Sequence, residues 1–94
     1  MIKSFADEQT RQFWETGKSS KWPPAGLRRV VKRKLQMLDA VEDLEDLRIP
    51  PGNRLHSLTD DRNGQHAIRI NEQFQICFRW RDGNAYEVEI TDYH

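Results

Sequence analysis

The sequence predicts an α+β fold, with helices in its first half and an antiparallel sheet in its second half. Residues 25–44 carry apolar side chains at spacings of three and four, which is the pattern of a helix with one buried face. The run IPPGN at 49–53 then interrupts helical structure, because proline and the residue before it both disfavour helical dihedrals. In 74–80 and 85–90, polar and apolar residues alternate as they do in strands with one buried face.

Two helices and a short strand are predicted before this break. Residues 2–5 form a possible strand, and residues 6–16 form a weakly amphipathic helix that ends at Gly17. The second helix begins after Pro24, since proline suits a first helical turn, where its missing N–H is not needed. Its predicted buried stripe consists of Leu27, Val30, Val31, Leu35, Leu38, Val41 and Leu44. Everything after residue 53 is predicted to be sheet.

The strand register follows from the requirement that apolar residues share one face. A two-residue turn at Asp82 and Gly83 would set Phe78 opposite Glu87, so a three-residue loop that includes Asn84 is predicted. The same rule predicts a three-residue loop at 71–73. The predicted pairs are Trp80 with Tyr86, Phe78 with Val88, Ile76 with Ile90, Ile70 with Phe74 and Ile68 with Ile76, with Arg79 against Glu87 and Arg69 against Gln75 on the other face.

Length and composition restrict the possible classes of protein. The 94 residues suffice for one domain, predicted to span residues 1–94, but not for a second domain or a deep cofactor cleft. Cys77 is the only cysteine, which excludes a disulfide within the chain and a metal site made of sulfur ligands alone. No apolar stretch is long enough for a secretion signal or for the ~20 residues of a membrane span. We therefore expect a cytoplasmic protein that does not bind a membrane.

Charge is distributed unevenly along the chain although the formal net charge is zero. Residues 1–34 contain nine cationic and three acidic residues, whereas residues 35–47 contain five acids and no cation. A polyanionic partner could bind the first block, and the charge reversal would oppose a nucleic-acid track along the whole helix. The alternative, that both blocks are the solvated side of an amphipathic helix, stays open. The cations outside the apolar stripe are Arg28, Arg29, Lys32 and Arg33.

The chain closes on Asp92, Tyr93 and His94, three groups that can exchange or hold protons. The predicted register sets Asp92 across from Phe74, at the sheet margin beside the 71–73 loop. Exposed, idle terminal residues are a common alternative. Two further histidines, His56 and His66, lie on preceding extended segments, and convergence of either with His94 would favour a functional site.

Five segments in a fixed order carry a resemblance to a known family. They are the opening MIKSF, the segment MLDAVEDLEDLRIPPGNRL, the stretch DRNGQHAIRIN, the strand QFQICFRW and the closing DYH. The chain resembles HigB-type toxins of the RelE superfamily, which belong to bacterial type II toxin-antitoxin pairs and are similar to plasmid maintenance killer proteins. The resemblance implies a RelE-like fold, in which two N-terminal helices pack on a twisted antiparallel sheet of about four strands, with RNA in a cleft on the sheet side.

The resemblance also implies an activity and its residues. It implies a ribosome-dependent, metal-independent endoribonuclease without cofactors, which cleaves translated mRNA through attack of the ribose 2′-hydroxyl. His56 in LHSL and His94 are the implied acid and base, and which is the base stays open. Asp92 would orient or charge an imidazole, and Tyr93 would donate to the substrate or stack beside it.

One expected feature of the family is missing. A cation commonly follows the central aromatic of the strand, but here Phe74 is followed by Gln75, and Thr59 stands where some relatives carry lysine. Arg69 or Arg79 is the candidate to supply the missing positive charge near the phosphate.

Partners are implied as well. The basic face of the second helix, formed by Arg28, Arg29, Lys32 and Arg33, would dock on ribosomal RNA. A cognate antitoxin with a helix-turn-helix domain would neutralise the chain, so that contact with operator DNA would be indirect, through the antitoxin.

Three alternatives accompany this interpretation. A zinc site could use His56, His66, His94 and Asp92, although the sequence has no short-spaced ligand pair. A second alternative is a weakly catalytic or non-catalytic protein of the same fold that acts mainly by binding its antitoxin and RNA, because Gln75 replaces a cation. Cys77 could be a nucleophile, but its predicted neighbour Glu89 would raise the thiol pKa, and we interpret it as an ordinary strand residue.

Overall fold

Two helices and one antiparallel sheet form the molecule, as the sequence predicts. The computed structural model describes residues 1–18 and 21–92. The helices are α1 (Glu8–Thr16) and α2 (Arg28–Ala40), and the strands are β1 (His56–Ser57), β2 (His66–Arg69), β3 (Phe74–Arg81) and β4 (Asn84–Asp92). The strands lie in the order β1-β2-β3-β4, each antiparallel to its neighbour. The predicted α+β class is confirmed.

Helix α1 has defined caps at both ends. The Asp7 carboxylate accepts a hydrogen bond of 2.8 Å from the Thr10 amide, which satisfies one of the free N–H groups of the first turn. Gly17 ends the helix with φ of 72°, a left-handed conformation that favours glycine, and its N–H donates to the Phe13 carbonyl. The predicted end of this helix is confirmed, and its start is two residues later than predicted.

Helix α2 is shorter than its apolar pattern predicts. It follows a 3₁₀ turn at Ala25–Leu27 and ends at Ala40, and the next residue, Val41, is already extended. Acidic side chains are unfavourable at the C-terminal end of a helix, where the helix dipole is negative. The Asp43 carboxylate does not lie within α2 but accepts a hydrogen bond of 3.0 Å from the Glu45 amide. This cap opens a separate 3₁₀ turn, Leu44–Arg48. The prediction that one helix continues to Leu44 is therefore wrong.

The β3–β4 hairpin has the two-residue turn that parity had excluded, and it still keeps its apolar residues on one face. Arg81 pairs with Asn84, so the turn has two residues, Asp82 and Gly83, with φ of 52° and 78°. One extra residue in β4 between Tyr86 and Glu89 shifts the register, and Glu87 lies there with φ of 51°. The predicted three-residue loop is wrong, because a bulge, and not a longer loop, keeps Phe78 and Val88 in the core.

The remaining sheet register agrees with prediction. Ile68 pairs with Ile76, Arg69 with Gln75, and Ile76 with Ile90. Residues 2–5 form only two isolated parallel bridges to β4, from Ile2 to Ala85 and from Phe5 to Val88. The segment after residue 53 is not sheet alone, since Asp60–Arg62 forms a further 3₁₀ turn.

The core lies between α2 and one face of the sheet. Buried residues of α2 pack in one cluster with buried residues of the sheet; the set comprises Val31, Leu35, Leu38, Ile68, Phe74, Ile76, Phe78, Ala85, Val88 and Ile90. Because strand side chains alternate, Arg69, Gln75 and Cys77 point to the other side, which we call the outer face of the sheet. Within residues 1–18 and 21–92, the structure has no helix of the length and hydrophobicity needed to cross a membrane.

Candidate active site

A pocket of about 450 Å³ opens beside the first two strands, on the outer face of the sheet. Its volume lies in the range of small-molecule sites. Cross-strand pairing creates it: His56 pairs with Ala67 on β2, and two residues further along β2 Arg69 pairs with Gln75. The described residues that line it are Arg54, His56, Leu58, Arg69 and Gln75.

His56 lies at the exposed rim of this pocket, on edge strand β1. Its Nδ1 is 2.7 Å from the carbonyl oxygen of Arg54. A carbonyl can only accept, so Nδ1 carries the proton in this contact and Nε2 of the neutral ring is left as the proton acceptor. The backbone therefore selects the tautomer that suits a base acting through Nε2.

Arg69 and Gln75 form the floor of the pocket. Arg69 is half-buried, and its Nε donates to the Asn71 carbonyl at 3.0 Å, which fixes the side chain at the end of β2. The structure gives no hydrogen bond from the two terminal nitrogens of this guanidinium to another described residue, so within that part of the chain their donors are available. Gln75 is buried beside it and contributes a neutral amide where a cation was expected.

Arg54 is a pocket residue that the sequence analysis missed. It follows a 3₁₀ turn, Pro51–Asn53, and adopts a left-handed conformation with φ of 46°. Its neighbour Asn53 is fully buried, accepts a hydrogen bond from the buried Lys34 ammonium, and donates to the Leu47 carbonyl at 3.0 Å. Alternation along a strand does not predict this position, because the backbone of Arg54 is left-handed and not extended.

The described lining of the pocket carries positive charge. Of the described residues that line it, two are arginines and none is acidic. The half-buried Arg69 is less screened by solvent than the exposed Arg54, and both charges favour an anionic group such as a phosphate.

Asp92 lies at the opposite edge of the sheet from His56. It pairs with Phe74 and accepts a hydrogen bond of 2.9 Å from Gln73 Nε2, beside the 71–73 loop as predicted. Three strand spacings, about 14 Å in all, separate the two edges of the sheet. Tyr93 and His94 lie outside the described residues. Of the predicted catalytic set, the structure thus locates His56 and Asp92, and it locates them apart.

Arg79 does not line the pocket of His56. Its Nε donates to a Glu87 carboxylate oxygen at 3.0 Å, and it lines a separate depression near the hairpin. The predicted contact with Glu87 is present, although Arg79 pairs in register with Tyr86 because the hairpin turn has two residues and not three.

The predicted docking cations lie on α2, which packs on the inner face of the sheet, whereas the pocket opens on the outer face. Arg29, Lys32 and Arg33 are exposed, and Arg28 is half-buried. The helix packs its apolar side on the sheet, so these charges face away from it.

Two other side chains that could take part in chemistry, those of Cys77 and His66, are packed against neighbouring residues. Cys77 is fully buried, pairs with Glu89 as predicted, and lies 3.3 Å from the Thr91 hydroxyl; its thiol pKa is raised, mainly by burial. His66 packs on the Phe78 ring, and burial lowers its pKa. In the part of the chain that the structure describes, no three His, Cys, Asp or Glu side chains are grouped so as to hold a metal ion.

Known proteins resemble this chain in sequence and in fold. The family model described as RelE-like toxin of type II toxin-antitoxin system HigB matches residues 3–94. Toxin HigB-1 of Vibrio cholerae is 40% identical over 90 residues, which are 96% of this chain and 95% of that protein. Endoribonuclease HigB of Proteus vulgaris is 33% identical over 98 residues, with all of both chains covered.

Two solved structures share the fold. YafQ from E. coli superposes with a TM-score of 0.60 at 10% identity, covering 99% of this chain and 94% of that one. The YoeB-YefM complex from Staphylococcus aureus gives 0.57 at 12% identity, covering 100% and 98%. At such identities the likeness concerns the fold, whereas the sequence matches establish the family. The chain belongs to the HigB family of RelE-like toxins of type II toxin-antitoxin systems.

Proposed function

We propose that this chain is an endoribonuclease that cleaves mRNA during translation on the ribosome, without a metal ion. The observation that carries the proposal is His56, held in one tautomer at the rim of a pocket that also contains arginine and, among its described lining residues, no acid. The relative from Proteus vulgaris is named Endoribonuclease HigB, which supports the same activity.

The proposed reaction is an internal transfer at phosphorus. A base takes the proton of the ribose 2′-hydroxyl, the 2′-oxygen forms a bond to phosphorus, and the bond from phosphorus to the 5′-oxygen breaks. An acid protonates the departing 5′-oxygen, which leaves a 2′,3′-cyclic phosphate and a 5′-hydroxyl. His56 serves as one of these two groups and His94 as the other, with Arg69 near the phosphate. We assign Asp92 the orientation of an imidazole and Tyr93 a hydrogen bond to, or stacking on, the substrate.

Replacement of His56 is the direct test. We expect His56→Ala to lower cleavage at least ~100-fold, since a positioned acid or base contributes roughly 10² to 10⁴. The measurement is mapping of mRNA 5′ ends in translating and non-translating extracts, with His66→Gln as the matched control because His66 lies outside the pocket. Wild-type cleavage by His56→Ala would contradict the proposal.

Ribosome docking through α2 is the second part of the proposal. Reversal of two exposed charges, Arg29→Glu with Arg33→Glu, should weaken ribosome binding by about tenfold or more at low salt and reduce its salt dependence, because phosphate contacts release counterions. Arg28 is left intact since it is half-buried, and Lys32 serves as a third, separate reversal. Lys3→Glu with Lys18→Glu is the control, because both are exposed and lie outside α2. If the α2 double variant and the control double variant sediment with ribosomes equally well, the α2 cations serve only to solvate the helix surface.

Gln75 favours a second candidate function. A protein of this family without the usual cation could act mainly by binding its antitoxin and RNA and cleave weakly or not at all. Growth arrest by wild type but equal arrest by His56→Ala, with no new 5′ ends, would decide for this alternative.

A cognate antitoxin is the proposed partner in either case. The family belongs to toxin-antitoxin systems, and the related fold of YoeB was solved in complex with YefM. We propose a helix-turn-helix antitoxin that neutralises this chain in the cytoplasm and links it to operator DNA only indirectly. Co-purification of the product of an adjacent gene with a tagged His56→Ala variant tests the pairing.

A further inference from the structure

The position that should carry a cation in this family carries Gln75, yet the pocket still contains two guanidinium groups. Arg69 was expected from the register. Arg54 was not, and it approaches the pocket from the segment before β1. The role of this second arginine rests on the proposed function.

The backbone at Arg54 is fixed on both sides. Its N–H donates to the Pro51 carbonyl at 3.1 Å, and the preceding Asn53 is tied to α2 through Lys34 and to Leu47. Arg54 keeps an exposed side chain, and the structure shows no ion pair between it and any described carboxylate. A cation so anchored and without such a counterion suits an anionic ligand.

The backbone of Arg54 also determines the tautomer of His56. The Arg54 carbonyl accepts the proton of His56 Nδ1, so the guanidinium and Nε2 of the ring are presented by one short segment. Arg54 and His56 also line the same pocket, so a phosphate bound there can contact both.

We propose that Arg54 is the catalytic cation of this chain, binding a non-bridging oxygen of the scissile phosphate in place of the cation that Gln75 replaces. Charge grows on these oxygens as the 2′-oxygen attacks, and a guanidinium in contact with them stabilises it. Arg69 holds the phosphate from the opposite side of the pocket, and the Gln75 amide contributes a neutral donor.

Three variants test this assignment. Arg54→Gln removes the charge and keeps an unbranched side chain at the left-handed position, where Arg is already accepted. We expect a loss of cleavage of about 100-fold, the usual effect of removing one such donor. Arg54→Lys should recover part of it. Arg54→Gln with Gln75→Arg should recover most of it, because the cation returns to the position that relatives use. Arg48→Gln is the matched control, since Arg48 is exposed, lies outside the pocket and is paired with Glu45.

A binding experiment separates this inference from the proposed function. Titration with adenosine 3′-monophosphate, followed by NMR of the His56 ring, should show at least about tenfold weaker binding for Arg54→Gln than for wild type and Arg48→Gln. If wild type cleaves no RNA but binds the nucleotide in an Arg54-dependent way, the phosphate site stands and the proposed function fails. If His56-dependent cleavage persists in Arg54→Gln, or if Gln75→Arg restores neither binding nor cleavage, the assignment of Arg54 is overturned.

Discussion

The two ends of the outer face of the sheet use arginine in opposite ways. Near the hairpin, Arg62 and Arg79 are paired with Glu89 and Glu87, and the Arg81 guanidinium lies 4.5 Å from the centre of the Tyr86 ring. At the pocket end, Arg54 and Arg69 have no ion pair with a described carboxylate. The same residue type therefore holds the loop and hairpin at one end, whereas at the other end its charge is not balanced by a described carboxylate.

This difference shows how function is recognised in a chain with no net charge. Composition and charge blocks point to α2 as the cationic surface. The pocket holds fewer cations, but among the described residues that line it they meet no acid. The local absence of counter-charge, more than the number of cations, marks the site.

The largest expected contrast is between Arg69 and Arg79. Arg69→Gln should lower RNA cleavage about 100-fold while changing the free energy of unfolding little. Arg79→Gln should leave cleavage near the wild-type rate and cost about 0 to 1 kcal/mol of stability, the range for an exposed ion pair. Cleavage assays and urea denaturation on both variants make the comparison. A similar loss of cleavage in both would show that the two ends of the face act as one site.

A second contrast concerns the segment that carries the pocket. Asn53→Ala should reduce the free energy of unfolding by about 2 to 3 kcal/mol, because it leaves the buried Lys34 ammonium and the Leu47 carbonyl without their partner. It should also reduce cleavage, since Arg54 and His56 follow directly. The exposed Asn63→Ala is the matched control. Urea denaturation followed by tryptophan fluorescence measures the stability, and an unchanged midpoint would refute the supporting role of Asn53.

The sequence predicted the fold through its periodic segments, and it failed where local polar contacts overrode periodicity. Parity gave the pairing of β2 with β3 and the distal half of the hairpin correctly. It missed the bulge because alternation does not predict a single residue with positive φ, here Glu87. The contact at the bulge is also remote in sequence, since the Glu87 N–H donates to the Ser4 hydroxyl. It missed the early end of α2 for a similar reason, since the Asp43 cap acts outside the apolar stripe.

The candidate site was predictable in part. The pairing of Arg69 with Gln75 follows from register, and the resemblance pointed to His56. The role of Arg54 depends on the buried side chain of Asn53 and on the left-handed backbone of Arg54 itself. The periodicity of the sequence predicts neither feature. The three residues at the end of the chain were grouped by sequence, and the structure locates only Asp92 of them, at the far edge of the sheet.

The smallest effect is expected from the contrast between the two described histidines. Like the arginines, one lies in the pocket and the other makes structural contacts. His56 is exposed in the pocket, whereas His66 is half-buried against Phe78, and burial lowers the pKa of His66 although Glu45 opposes this shift. The unfolded chain then binds a proton at His66 more readily than the folded chain does. Stability should therefore rise with pH through the region below the ordinary histidine pKa of about 6.5, and it should fall as the solution is acidified through that region. His66→Gln should flatten this dependence relative to wild type, with the two proteins showing the same pH trend near pH 8, where the ring is neutral in both states. Thermal melts from pH 5 to 8 measure the slope, and an equal slope in both proteins would show that the burial of His66 has no energetic consequence for folding.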